Sequence, residues 1–442
     1  MKVITVKNSE IAGIMGRQEF AENVQYKRSP YCMEEEVDSG KLVYNSLTGE
    51  VIFMDASEEE RSARYLAEHW YNIPEHMDMY SIGYMVRQAY STRQIQRRGR
   101  QINSYTILTT TSCNARCPYC YERGIRQYSM DTRTAADVAG YIKANSSGKV
   151  TLRWFGGEPL CNTKAMDIIT QNLEASGVAF RSSITTNGLL FCGIPDESIA
   201  RWKLKNAQIT IDGTHDRYNA VKNYVDQNTD PYDTVMGNIK RLSGLGINVV
   251  IRMNVSNENA QNLLLLVDEL AERFEGYRGI TAYPYPVFDG AGDPPFCPTD
   301  EEREILYDNC IQIFNRTVMN GLAPRLKVEA MKPHHCMADS GQSRVVLPDG
   351  RLCLCQHYNE NEVCGTIYSK KMDRKKEAEW ARRTSETEDC RECAQYLVCY
   401  RLQKCPNEVR CSPGERRFRE AKIRAAMRRE YERKMRIENL DI

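Results

Sequence analysis

Between residues 104 and 320, segments with the apolar pattern of a strand alternate with segments that have the apolar period of a helix. Short runs rich in β-branched and aromatic residues predict strands at 106–110, 150–155, 179–185, 208–211, 249–254 and 280–285. Between them, apolar residues three or four positions apart predict helices that include 132–145, 163–175, 233–244 and 259–274. Strands that alternate with helices predict an α/β fold with a parallel sheet and right-handed crossovers.

The first 100 residues follow another pattern. Residues 41–53 read as a hairpin, because two β-rich arms flank a turn rich in Asn, Ser and Gly. One helix is predicted to begin at Asp55, a second covers 82–91, and a basic stretch follows at 93–100. Strands followed by helices predict a small winged-helix-like unit in this part of the chain.

The last quarter differs again, because cysteines become frequent after Pro324. Residues 412–442 predict one charged, Arg-rich helix whose thin apolar stripe suits docking on the body of the protein. The sequence therefore predicts four parts, which are a winged-helix-like domain at 1–100, the βα repeats at 101–323, a cysteine-rich domain at 324–411 and a charged C-terminal helix at 412–442.

Composition narrows the possible functions. The chain has 442 residues, with 60 Lys and Arg against 59 Asp and Glu, and a net charge of +1 gives no general attraction to nucleic acid or to an anionic membrane. No apolar run approaches the about 20 residues that cross a bilayer, and the N-terminus lacks the apolar core of a signal peptide. We therefore expect a cytoplasmic protein, in which 17 cysteines indicate metal ligation rather than disulfides.

Three of these cysteines, Cys113, Cys117 and Cys120, follow the first predicted strand of the βα repeats. Their spacing allows one short loop to wrap three thiolates around one inorganic centre, and clustered thiolates select zinc, Cu(I) or iron–sulfur clusters. A zinc site usually has a fourth Cys or His at comparable spacing, and none follows nearby. Three ligands on a cubane would leave one iron open to a small molecule.

The C-x3-C-x2-C pattern, with the aromatic Tyr119 before its last cysteine, resembles the radical S-adenosylmethionine (SAM) enzymes. In that superfamily the open iron of a 4Fe-4S cluster is chelated by the amino and carboxylate groups of SAM. The resemblance implies a curved, partial (β/α)6 barrel. In parallel barrels the chemistry lies at the C-terminal ends of the strands, which is where this cysteine loop begins.

Polar or glycine-rich segments end the next four predicted strands, and each could also be an ordinary turn. The resemblance implies that they contact SAM. Gly156, Gly157 and Glu158 would then face its amino group, and Arg252 would pair with its carboxylate. The remaining implied contacts with SAM are Thr185, Thr186, Asn187, Asp212 and Asn254.

The cysteine-rich part resembles the SPASM extension of radical SAM peptide maturases, in which two auxiliary 4Fe-4S clusters are bound. By that resemblance, the ligands of the distal cluster, here called the distal group, are Cys390, Cys393, Cys399 and Cys411. The ligands of the nearer cluster, the nearer group, include Cys336, Cys355 and Cys405. Its fourth ligand is ambiguous, because Cys353, Cys364 and an open iron are all available. Two-cysteine knuckles also bind zinc, which is the alternative to clusters here.

The resemblance implies a maturase that uses a 5′-deoxyadenosyl radical to install a thioether or carbon–carbon crosslink in a ribosomally synthesised peptide. The N-terminal domain would capture a leader peptide as an added strand, and a flavodoxin or ferredoxin would supply electrons. An anaerobic sulfatase maturase is the alternative, but that family typically has Asp where Gln356 stands here. An electron carrier or zinc scaffold would leave the strand-end residues without a purpose. We expect no nucleic-acid or membrane partner, and no residue stands out as catalytic acid or base.

Overall fold

The computed structural model describes residues 2–3, 23–55, 72–97, 101–122, 124–226, 230–287, 299–331, 336–357, 360–369, 371–383, 386–399, 402–405 and 411–440. The strands are β1 Lys2–Val3, β2 Tyr26–Arg28, β3 Cys32–Val37, β4 Gly40–Asn45, β5 Glu50–Asp55, β6 Asn72–Pro74, β7 Ser104–Thr110, β8 Val150–Gly156, β9 Phe180–Thr186, β10 Leu204–Thr210, β11 Asn248–Val255, β12 Ile280–Pro286, β13 Ser343–Val346, β14 Arg351–Cys353 and β15 Gly365–Thr366. The helices are α1 Met79–Arg97, α2 Thr132–Asn145, α3 Thr163–Ala175, α4 Asp196–Arg201, α5 His215–Lys222, α6 Pro231–Gly244, α7 Ala260–Arg273, α8 Asp300–Met319, α9 Arg374–Trp380 and α10 Pro413–Leu440.

A nine-stranded sheet is the centre of the fold, in the order β12-β11-β10-β9-β8-β7-β13-β14-β15. Strands β7 to β12 follow one another in chain order and pair in parallel, which confirms the predicted α/β architecture. Strand β13 also pairs in parallel with β7, whereas β14 and β15 are antiparallel. The cysteine-rich part therefore continues the sheet of the βα repeats at the edge formed by β7.

The helices that were predicted from apolar periodicity cover this sheet. Helix α2 buries Val138, Ala139 and Ile142, and the side chain of Asp131 caps its start by accepting from the backbone N–H of Thr134 at 2.7 Å. The predicted bounds of α2 and α3 agree with the structure. Strand β10 begins at Leu204, earlier than predicted, because exposed polar residues at its start hide the apolar alternation.

The described residues 23–55 and 72–97 form what we call the N-terminal unit. Strands β3, β4 and β5 are antiparallel neighbours in a four-stranded sheet, and β4 and β5 form the hairpin that was predicted. Helix α1 is longer than the predicted segment 82–91. The helix predicted to begin at Asp55 falls on residues 56–71, outside the described part of the chain.

The C-terminal helix α10 joins the N-terminal unit to the main body. Near its start, Phe418 packs against Tyr307 and Phe314 of α8, with ring centroids 6.3 Å apart in both pairs. One turn beyond Ile423, the buried Met427 packs into the apolar cluster of the N-terminal sheet. The apolar stripe predicted for this helix thus docks it on two parts of the protein. No helix in the described residues is both long and apolar enough to cross a membrane.

Candidate active site

The cysteine loop lies where β7 ends and is fastened to the chain that follows α5. The backbone N–H of Arg116 donates to the carbonyl of Lys222 at 3.0 Å, and the N–H of Val225 donates to the carbonyl of Asn114 at 2.9 Å. Within the loop, the N–H of Ala115 donates to the sulfur of Cys113 at 3.4 Å. Burial raises the pKa of Cys113 to about 12, so a thiolate there needs a positive centre beside it.

A buried ion pair also holds this loop in place. The ammonium of Lys222 lies 2.7 Å from Asp212 Oδ2 and 2.9 Å from the hydroxyl of Tyr119, which itself donates to Asp212. The side chains of Lys222 and Asp212 are only 3% and 1% exposed. Burial lowers the pKa of Lys222, but the attraction of Asp212 and Tyr119 outweighs it, so the pKa is well above its usual value. Sequence reasoning missed Lys222, because a buried lysine in the last turn of a helix has no distinctive pattern.

Gly156 and Gly157 allow the end of β8 to contact the base of the cysteine loop. Gly156 has a φ of +124°, and a Cβ there would lie 2.1 Å from the carbonyl oxygen of Thr110. A Cβ at Gly157 would lie 2.5 Å from the carbonyl oxygen of Ser112. The backbone N–H of Gly157 donates to Thr110, and that of Glu158 donates to Ser112. The glycines therefore bring two strand ends together, and their predicted contact with SAM stays a prediction.

Glu158 is fully buried and binds the end of β9. Its carboxylate accepts from the hydroxyl of Thr186 at 2.8 Å, from the N–H of Asn187 at 2.8 Å and from the N–H of Leu160 at 3.1 Å. The amide of Asn187 in turn donates to the side chain of Asn114 in the cysteine loop at 2.7 Å. Burial nevertheless outweighs these bonds and raises the pKa of Glu158 to about 7. Glu158 therefore positions the residues around it.

Replacing Glu158 with glutamine is expected to change how stability depends on pH. The pKa of Glu158 rises from 4.5 to about 7 on folding, so between these values the folded protein binds more protons than the unfolded chain. The raised pKa of Glu158 therefore stabilises the folded state. This stabilisation is complete below pH 4.5 and is lost as the pH rises through 7. The free energy of unfolding of Glu158→Gln, measured relative to wild type, should therefore rise by about 3 kcal/mol between pH 4.5 and 7. Urea unfolding at several pH values measures this difference. If the free energy of unfolding depended on pH in the same way for both proteins, the prediction would be contradicted.

Thr185 lies near the end of β9, and Arg252 and Asn254 lie near the end of β11, with β10 between the two strands. The Nε of Arg252 donates to Asn254 Oδ1 at 2.9 Å, and its guanidinium lies 3.7 Å from the ring centroid of Tyr285. The register of β9, β10 and β11 places Thr185 beside Gln208 on β10, which itself pairs with β11. The structure thus brings these predicted SAM contacts to the same, C-terminal end of the parallel strands.

Two residues that the sequence did not single out connect the cysteine loop with the nearer group. The ring of Tyr121, directly after Cys120, lies 4.1 Å from that of His357, two residues after Cys355. Burial, and then the charge of Arg252, lowers the pKa of His357 to about 4. The two cysteine segments therefore meet at the same mouth of the barrel.

The nearer group is brought together in part. Cys336, Cys355 and Cys405 pack in one apolar cluster, which also contains Cys364. The thiol of Cys364 donates to the carbonyl of Leu352 at 3.3 Å. Cys353 packs instead in a separate cluster with Leu108 and Val345. The fourth ligand of the nearer cluster therefore stays a prediction, with Cys353, Cys364 and an open iron as the alternatives.

Two cysteines of the distal group accept hydrogen bonds from nearby N–H groups. The N–H of Thr387 donates to the sulfur of Cys390 at 3.5 Å, and Arg419 of α10 donates to that of Cys399 at 3.8 Å. Burial, together with the charges of Cys399 and Cys411, raises the pKa of Cys393. N–H donors around cysteine sulfurs suit bound iron–sulfur clusters, whose potentials such donors tune. In the described residues, no three His, Cys, Asp or Glu side chains are arranged to hold a single metal ion.

One buried oxygen at the barrel mouth is placed to accept a hydrogen bond from a bound ligand. Asp212 Oδ1 has no hydrogen-bond partner among the described residues, although its other oxygen binds Lys222 and Tyr119. A buried, unpaired carboxylate oxygen is costly, and a ligand with hydroxyl or ammonium groups would satisfy it. SAM carries both kinds of group, so this residue fits its predicted contact.

Comparison with known proteins identifies the domain. Residues 107–270 match the model of the Radical SAM superfamily, so this part of the chain is a radical SAM domain and the resemblance drawn from the cysteine spacing is confirmed. The probable GTP 3′,8-cyclase of Methanococcus maripaludis (strain C7) is 30% identical over 145 residues, which are 33% of this chain and 44% of the cyclase. The sporulation killing factor maturation protein SkfB of Bacillus subtilis is 24% identical over 171 residues, which are 38% of this chain and 39% of that protein. The chain thus spans less than half the length of these relatives.

Two solved structures share the fold over most of the chain. One is histidine-tagged anSMEcpe with bound AdoMet, with a TM-score of 0.54, 17% identity and coverage of 75% of this chain and 98% of that one. The other is Streptococcus suis SuiB bound to its precursor peptide SuiA, with a TM-score of 0.51, 13% identity and coverage of 88% of this chain and 99% of SuiB. At these identities the likeness concerns the fold.

Proposed function

We propose that this chain, through the radical SAM domain of residues 107–270, removes a hydrogen atom from a ribosomally synthesised peptide and forms a thioether or carbon–carbon crosslink. As the new bond forms, the second hydrogen would leave as a proton and an electron, and a cluster bound by the nearer group would accept the electron. The observation that carries the proposal is the meeting of two cysteine segments at one barrel mouth, where Tyr121 contacts His357. A peptide bound between them would lie within reach of both the SAM site and the nearer group.

Each part of the site has a defined task in this proposal. Cys113, Cys117 and Cys120 would hold a 4Fe-4S cluster, which together with SAM supplies, when bound, a carbon radical able to break a C–H bond. Lys222 and Tyr119 keep the cysteine loop in place through Asp212, whose free oxygen would accept from SAM.

The strand ends would orient SAM and exclude water. Arg252, held by Asn254, would bind the carboxylate of SAM, and a guanidinium suits a carboxylate because two parallel bonds form. Glu158 keeps Thr186 and Asn187 in position at the end of the neighbouring strand. A closed, dry site matters because a carbon radical reacts with solvent reductants and exposed side chains.

The proposed domains suit a peptide substrate. We propose that residues 1–100 recognise a leader peptide, that 324–411 form a SPASM domain with two auxiliary clusters, and that 412–442 attach these parts to the barrel. A sheet edge such as that of the N-terminal unit accepts an extended peptide as an added strand, with little demand on its sequence. Two similar proteins favour the same substrate class. SuiB was solved with its precursor peptide bound, and SkfB is a maturation protein.

The cyclase relatives favour a second candidate, in which the barrel acts on GTP. One cyclase match covers 33% of this chain and another covers 59% at 24% identity, so each leaves part of the chain outside the match. The cysteine-rich part and the N-terminal unit favour the peptide over GTP.

Mass spectrometry of the products tests the proposal. Anaerobically reconstituted protein would be incubated with dithionite, SAM and peptides encoded beside its gene, with GTP as a parallel substrate. We expect a peptide that has lost two hydrogen atoms, and we expect a flavodoxin or ferredoxin to replace dithionite. Cys117→Ala should abolish the product, whereas Cys192→Ala, which changes an exposed cysteine outside the three groups, should not. An aldehyde product would indicate formylglycine formation instead, and a product from GTP alone would refute the peptide substrate.

A further inference from the structure

The segment that carries most of the distal group closes the apolar core of the N-terminal unit. We call residues 386–399 the distal segment. Tyr396 and Leu397 pack with Tyr31, Met79 and Val86 in one buried cluster, and Cys390 and Cys393 pack against it. The N-terminal unit therefore shares its core with the segment that is proposed to bind iron.

Tyr396 lies between two aromatic residues of the N-terminal unit. Its ring stacks on that of Tyr31 with centroids 6.4 Å apart, and it meets that of Tyr80 at 5.2 Å. The hydroxyl of Tyr396 donates to Glu386 at 2.8 Å, and the hydroxyl of Tyr80 donates to the other oxygen of the same carboxylate. These contacts fix the distal segment on the face of α1.

Arg87 of α1 is placed to hold the backbone beside a cysteine of the distal group. Its guanidinium donates to the carbonyl of Tyr396 at 3.1 Å and to that of Cys399, and it lies 5.0 Å from the ring centroid of Tyr396. Arg87 is 8% exposed. Burying a guanidinium is costly unless it is hydrogen-bonded, so its position depends on these two carbonyls.

The C-terminal helix connects the distal group to the N-terminal unit from the other side. Arg419 donates to the sulfur of Cys399, and two turns later Met427 packs on the N-terminal sheet. On the same helix, Arg424 pairs with the buried Glu35 of β3 at 2.7 Å. Two helices far apart in sequence therefore link Cys399 to the N-terminal unit.

The distal segment has little regular structure to order it without a metal. Its described elements are two short 3-10 turns, Glu388–Cys390 and Tyr396–Val398. Ordering a loop costs backbone entropy at every residue, and thiolate ligation of one cluster would offset that cost.

From these contacts we propose that the distal group is the structural joint of the N-terminal unit, so that a cluster bound there holds the peptide-recognition surface in its working position. Arg87 acts as a positioning residue in this joint, because it touches the cysteine backbone rather than any reacting atom. The inference rests on the proposed function for the identity of the bound group, but its test does not require SAM or peptide.

Hydrogen–deuterium exchange of the full-length, iron-loaded chain tests this inference. Cys399→Ala/Cys411→Ala removes two ligands but leaves Cys390 and Cys393, which pack on the shared core. We expect amides in β4, β5 and α1 to exchange at least about tenfold faster in this variant, with unchanged exchange in β8 to β11. Cys355→Ala, which alters the nearer group, is the matched control and should leave the N-terminal unit protected.

If the double variant does not fold, a second variant tests the same inference. Arg87→Met retains every cysteine and should raise exchange in α1 and in the distal segment together. Unchanged exchange of the N-terminal unit in either variant would overturn the inference. If exchange is faster in these variants but the wild-type protein makes no peptide product, the inference stands and the proposed function is rejected. If the wild-type protein crosslinks the peptide but exchange in the variants is unchanged, the proposed function stands and the inference is rejected.

Discussion

Replacing Lys222 with methionine is expected to destabilise the protein by about 3–5 kcal/mol and to remove iron from the cysteine loop. The substitution leaves the carboxylate of Asp212 charged at 1% exposure without its cation, and the hydroxyl of Tyr119 still donates to it. It also removes the donor to the hydroxyl of Tyr119 and so loosens the loop that carries Cys117 and Cys120. Urea unfolding measures the first effect, and iron analysis after anaerobic reconstitution measures the second.

Two controls separate this effect from a general loss of charge. Lys203→Met removes a surface pair with Glu174, which is worth about 0–1 kcal/mol. The double variant Lys222→Met/Asp212→Asn removes both charges and should recover most of the lost stability, because a buried pair replaced by neutral groups costs little. A loss below about 1 kcal/mol for Lys222→Met alone would contradict the importance assigned to this pair.

Replacing Gly157 with alanine is expected to cost about 1–3 kcal/mol and to lower the iron content of the cysteine loop. The added Cβ would lie 2.5 Å from the carbonyl oxygen of Ser112 and 2.6 Å from that of Thr111, so the backbone at the base of the loop must shift. Thermal unfolding and iron analysis of the same preparation measure both results.

Gly140→Ala in α2 is the matched control, because nothing lies within 4 Å of the Cβ it would add. Helix propensity makes that substitution neutral or stabilising by about 0.5–1 kcal/mol. Equal effects of the two substitutions would show that the close approach of β8 to the cysteine loop is not what requires glycine.

The barrel could be predicted from the sequence because its signals are local. The apolar periodicity of α2 depends only on nearby residues, and the bounds that it predicts agree with the structure. The extension of the sheet by β13 could not be predicted, because its pairing with β7 joins Ser343 to Ser104 and no local pattern encodes such a distant contact.

The same limit applies to the candidate site. Cys113, Cys117 and Cys120 form a motif by spacing alone and could be found without a structure. Lys222 and His357 became visible only when folding brought them beside Asp212 and Tyr121. Such residues act through tertiary contacts, so their neighbours in the sequence carry no sign of them.

The central claim is that three cysteines hold a 4Fe-4S cluster with one iron open to SAM. Electron paramagnetic resonance of the dithionite-reduced, oxygen-free protein tests it most directly, with and without SAM. We predict a reduced-cluster signal that changes when SAM is added and that is lost in a Cys113→Ala/Cys117→Ala/Cys120→Ala variant. A zinc ion bound to these three cysteines, or a cluster signal that SAM leaves unchanged, would contradict the claim.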